Sequence, residues 1–185
     1  MAGAAAGVVL VSALVLQVSS AAFTGSTSSG GNSWGAGSVS LSNDRAGAAM
    51  FTATGMVPGD TDQQCILVTY TGSIDPAAPI ALHAVVGDSD DGTGDGLSDD
   101  LDVVVDVGPD GSTCADLTGS AELVDGTLRA FAGPGAPLGT GWTPDASGGT
   151  DLSRPFLFTV TLGTDTPQDA QGDGATADFV WSATS

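Results

Sequence analysis

Residues 87–100 read GDSDDGTGDGLSDD, with six aspartates and no basic residue. Carboxylates at this density repel one another, so a bound cation or open water must relieve them. From Asp91 the spacing is Asp91-x-Thr93-x-Asp95-Gly96-x5-Asp102. It approximates a calcium loop, with oxygen ligands at alternate positions, a glycine at the sharp turn and an acid at position twelve. Hard oxygen ligands suit calcium or magnesium rather than catalytic zinc. The pattern is met in part. Thr93 stands where an acid or amide is usual, Asp102 is one carbon shorter than a bidentate glutamate, and the flanks read as strands rather than helices. Two readings stay open. One is a calcium site held by Asp91, Thr93, Asp95 and Asp102 that serves stability or assembly. The other is a solvated acidic hairpin tip leading into the strand at Leu101.

Other chemistry is sparsely provided. A zinc hydrolase needs about three protein ligands and an open water position. The chain has one histidine, His83, and no HExxH. In IALHAVV, His83 lies on the face opposite Ile80, Leu82, Ala84 and Val86, which reads as a surface or half-buried strand position. No G-x-S-x-G accompanies it, and no carboxylate pair is singled out among the 22 acids. The chain therefore reads as a non-enzyme that requires no cofactor. Trp34, Trp142 and Trp181 fit packing anchors better than a carbohydrate platform.

Charge excludes one class of partner. Net charge is −19, and the only cations are Arg45, Arg129 and Arg154. No basic face can form to neutralise phosphates, so nucleic acid is not a partner. An anionic membrane surface is disfavoured for the same reason.

Residues 2–18 carry no charge, and small residues follow at 19–22. That is the apolar core and cleavage zone of a secretory signal, cut by signal peptidase during export. The alternative is a retained membrane anchor, although seventeen residues sit at the short limit for spanning. Export permits disulfides. The two cysteines, Cys65 and Cys114, allow one pairing, which would close a loop of about 50 residues. It requires their segments to lie side by side, and two buried thiols are the alternative.

The elements that would carry these residues are strands. Gly 28, Pro 9, and many Thr, Ser and Val favour strands joined by turns. Residues 23–33 form a Gly/Ser-rich linker. Residues 38–41 alternate as a short strand, and 50–54 read as a further one. In MVPGD, Pro58 presets φ and Gly59 supplies a positive φ, as a type II turn demands. Residues 61–71 follow as a central strand, apolar on both faces at 65–68. Residues 78–86, 101–107 and 156–162 alternate cleanly. Weak strands are expected within 114–131, loops over 134–150 and 164–176, and a last strand over 178–183. Such spacing predicts an all-β antiparallel sandwich of jelly-roll type over 34–185, preceded by a hydrophobic segment at 1–22.

Four pieces in order resemble the TasA/camelysin family of exported proteins with SipW-type signals. They are the apolar start running into AAFT, WGAGSVSLS (34–42), MVPGDTDQQCILVTYTGS (56–73), and FLFTVTL followed by QDAQGDGATADFVWSA (156–183). The resemblance covers nearly the whole mature chain. It implies a jelly-roll fold, secretion to the cell surface or biofilm matrix, and assembly into extracellular fibres. In that mode an N-terminal segment, here 23–33, adds as a strand to the next copy of the chain. The other readings are a monomeric calcium-stabilised adhesion module and a camelysin-like metallopeptidase, the latter disfavoured by the lone histidine.

Overall fold

Alternation at period two should bury one face of each strand, and the computed structural model realises this in eight strands. It describes residues 38–45, 48–89, 96–132, 138–146 and 151–184. The expected signal segment and linker lie outside them.

The strands are β1 (Val39–Asn43), β2 (Thr61–Gly72), β3 (Ala81–Ser89), β4 (Leu101–Val107), β5 (Ala121–Thr127), β6 (Leu138–Gly139), β7 (Leu152–Leu162) and β8 (Gly174–Ser182). One sheet has the order β1-β2-β7-β4-β5 and the other β6-β3-β8. Every pairing is antiparallel. The chain is therefore all-β, with the two sheets sharing one core.

Register follows the apolar alternation. Ile66, Phe156 and Val107 form one inward row across the large sheet, and Phe158, Val105 and Val124 form the next. All six are buried. A one-residue slip would turn every one of them to solvent, so burial enforces the register. Each buried side chain contributes roughly 1.5–3 kcal/mol. Rings from both sheets then interlock. Contacts run from Trp142 to Phe156, Trp181, Phe158, Phe179 and Phe131, at centroid spacings of 4.4–6.5 Å. Such tilted and edge-on pairs add about 0.5–1.5 kcal/mol each beyond burial.

The turn at Val57–Asp60 forms as its residues demand. Asp60 N–H donates to the Val57 carbonyl at 2.9 Å, and Gly59 has φ 93°. β2 is interior to its sheet, as expected.

Three expectations are corrected, and one segment gains a short helix. Residues 50–54 form no strand; Met50, Phe51 and Met56 instead lay partly buried side chains on the core, and Gly55 turns the backbone at φ 69°. A short helix α1 (Leu128–Phe131) follows β5, capped by Thr127, whose hydroxyl accepts from Ala130 N–H at 3.2 Å. Four residues are too few to show a helical period. The stretch read as loop over 134–150 contains β6, which continues into Ile80–Trp142 and Thr140–Ile80 backbone bonds. β8 begins at Gly174, inside the expected acidic loop, because Gly174, Ala175 and Thr176 pair with Ser89, Asp88 and Gly87. Small residues there gave little apolar signal.

β7 also begins earlier than its alternation suggests, running through Pro155. Leu67, opposite Pro155, turns its own N–H and carbonyl to Asp44. Pro155 therefore turns its backbone groups the other way, just past the end of β4, where its carbonyl accepts from Gly108 N–H at 2.9 Å. The missing proline donor falls where the ladder has already stopped, which is where a strand tolerates proline.

Candidate functional site

The acidic stretch is closed at its base by the protein's own donors. Asp88 is the inward-facing end of the β3 alternation, and its side chain is 9% exposed. Its carboxylate accepts from Ser98 N–H at 2.9 Å and Ser98 hydroxyl at 2.8 Å. Arg129 of α1 donates to it at 2.6 Å and lies 3.5 Å from Asp99. Gly96 passes so close that a Cβ there would overlap Asp88 Cγ, so only glycine fits. Ser98, in a turn of 3-10 helix at Leu97–Asp99, is fully buried. Hydrogen bonds to an ionised acceptor are about twice as strong as neutral ones. This clamp holds residues 88 and 98 together and pins both to α1.

Of the four candidate calcium ligands, Asp91, Thr93 and Asp95 lie outside the described residues. Asp102 is exposed on the outer face of the large sheet, between Thr161 of β7 and Thr127 of β5. Leu101 beside it points into the core. Among the described residues, no group of three or more His, Cys, Asp or Glu could hold a metal ion. The Asp88–Ser98–Arg129 clamp escaped the sequence reading, because Arg129 is 41 residues from Asp88. The available hint was scarcity, since a chain with three cations places each of them with consequence. Arg45 donates to Gln64 and to the Cys65 carbonyl, and Arg154 Nε stands 2.9 Å from Asp110, off the N–H axis. The Arg154 guanidinium also lies 6.0 Å from the Trp142 ring centre.

Cys65 and Cys114 are bonded, with Cα atoms 5.7 Å apart. Cys65 is on the outer face of β2, whereas Cys114 lies in the β4–β5 connection rather than in a strand. β7 separates β2 from β4. The connection therefore crosses β7, with Gly111 N–H donating to the Ser153 carbonyl at 2.9 Å and Pro155 buried beneath it. The bridge staples that connection onto the sheet's outer surface.

His83 faces outward from β3, half-buried and opposite Val180 of β8. Val85 and Val180 beside it are 57% and 37% exposed. Trp142 is buried and Trp181 packs on the core, while Trp34 lies outside the described residues. Among the described residues, no helix is long and apolar enough to cross a membrane.

β8 ends its sheet. Its nine residues pair with β3 on one side, and no described strand pairs with the other. Its inward residues Ala175, Ala177, Phe179 and Trp181 are only partly buried, whereas Leu82 and Ala84 of the neighbouring β3 are fully so. No protein-family model matches the chain, and no curated protein matches it.

Proposed function

We propose that this chain is an exported structural subunit with a sandwich of jelly-roll type, which joins to further copies of itself by strand addition. The observation that carries the reading is the β8 edge that no described strand pairs, nine residues long and half-covered on its apolar side. Such an edge offers backbone hydrogen bonds for affinity and alternate side-chain positions for register. The donor is the segment 23–33 of the next copy, and residues 1–22 direct export. The Cys65–Cys114 bridge fits an oxidising compartment. High negative charge keeps unjoined copies apart until backbone pairing offsets the repulsion.

Electron microscopy of the signal-cleaved protein tests this reading. Filaments are expected, and deletion of residues 23–33 should abolish them. Filaments that persist without the segment would remove strand donation, and a monomer that binds calcium or another ligand would favour the adhesion module.

A further inference from the structure

The two outer faces differ in charge. On the large sheet, Asp102, Asp106, Glu122 and Asp125 stand outward on β4 and β5. On the outer face of the small sheet, the described residues of β3 and β8 are Ala81, His83, Val85, Gly87, Ser89, Gly174, Thr176, Asp178, Val180 and Ser182. Asp178 is the one acid among them. In a chain of net charge −19, two copies can approach here with less repulsion than across β4 and β5.

The placement of the charge-bearing groups is self-complementary. His83 pairs with Val180, and Val85 pairs with Asp178. The four form a quadrilateral, with His83 and Asp178 on one diagonal and the two valines on the other. No side-chain hydrogen bond or ion pair among the described residues engages His83 or Asp178, although His83 Nδ1 is buried.

We infer that this face is a contact surface for a second copy of the chain, with each His83 set against the other copy's Asp178. A twofold axis along the valine diagonal places Val85 against Val85 and Val180 against Val180, and two His–Asp pairs flank them. Strands about 4.8 Å apart with about 6.7 Å per two residues put that diagonal about 35° from the strands. The two sheets then cross at about 70°, near the orthogonal class of packing. Two strands of nine residues and one of two offer about 300 Å² per copy, less than half of a standard interface. The contact is weak for an isolated pair and becomes strong when many copies are arrayed. It stands apart from strand addition, because the face and the β8 edge are different surfaces.

Imidazolium attracts a carboxylate more strongly than neutral imidazole does, so the contact strengthens in mild acid. The groups beside His83 are Ala81 and Val85 on β3, Val180, Asp178 and Ser182 on β8, and Gly139 on β6. Asp178 is the one titratable group among them.

Sedimentation of the full chain at pH 5.5 and 7.5 tests the proposal, together with cross-linking. Association should be about tenfold tighter at pH 5.5, the effect of two exposed ion pairs. His83→Ala and Asp178→Asn should each erase that difference, and Val85→Lys should abolish the pH-dependent component of association. Val85→Cys should oxidise to a linked dimer at pH 5.5, while Val57→Cys, equally exposed elsewhere, should not. Equal linkage of the two variants, or association indifferent to His83→Ala, would overturn the proposal. So would a pH-dependent component that survives Val85→Lys but is lost on deleting residues 23–33, which would assign that component to the segment.

Discussion

The Asp88 carboxylate receives both the backbone N–H and the hydroxyl of Ser98, at 2.9 and 2.8 Å, across the ends of the acidic stretch. Two residues ten apart are thereby held as one unit, and Arg129 ties that unit to α1. The densest acid in the chain rests on a base built from its own hydrogen bonds.

Asp88→Ala should cost about 3 kcal/mol, because it leaves the buried Ser98 donors without their charged acceptor. Arg129→Ala should cost less than about 1 kcal/mol, since its side chain is 52% exposed. Urea midpoints of the two variants check the order. An Arg129 loss as large as the Asp88 loss would contradict it.

Calcium titration should separate the two readings of the loop above this base. With the clamp supplied by Ser98 and Arg129, calorimetry should give the same flat trace for wild type and Asp95→Ala. Saturable heat in wild type that disappears in Asp95→Ala would establish a site.

Replacing both Cys65 and Cys114 by alanine should destabilise by about 4 kcal/mol on the chain-entropy account. The bond joins residues 49 apart and holds the β4–β5 connection over Pro155. Amide exchange should then rise first at Gly108 and Gly111, before the β2–β7 ladder. Uniform loss of protection across the sheet would show instead that the staple and the core unfold together.

Tyr70 predicts an alkaline limit. It is buried, its hydroxyl donates to the Ile74 carbonyl, and burial, followed by the charge of Asp75, pushes its pKa up. The folded state therefore holds the phenolic proton more tightly than the unfolded chain, whose tyrosine titrates near 10. The stabilisation is complete below about pH 10 and is lost as pH rises through the raised folded value. Tyr70→Phe should lose about 1 kcal/mol at neutral pH with the hydrogen bond, yet decline less between pH 10 and 11. Parallel curves for the two proteins would remove Tyr70 as the cause.

Strand identity was readable where apolar side chains alternate. Residues 101–107 match β4 end to end, and Phe156, Phe158 and Leu162 point inward as their spacing implies. Where side chains are small the signal fails, as at Gly174–Thr176, whose strand character comes from pairing with β3. Leu138–Gly139 is a strand only because Ala81 and Leu82 lie beside it. For the candidate site, the crowding of carboxylates was legible, but the donors that receive one of them were not.

The residues alone determined the period-two pattern, the Val57–Asp60 turn, and the single pairing open to two cysteines. Each is a property of neighbours in the chain or of composition, and local sterics and counting suffice. The tertiary structure decided which carboxylate is neutralised, that the disulfide reaches across β7, and that His83, Val85, Asp178 and Val180 share one face. Those outcomes depend on which distant segments burial brings together, and an ion pair or a ladder exists only once its two sides have met.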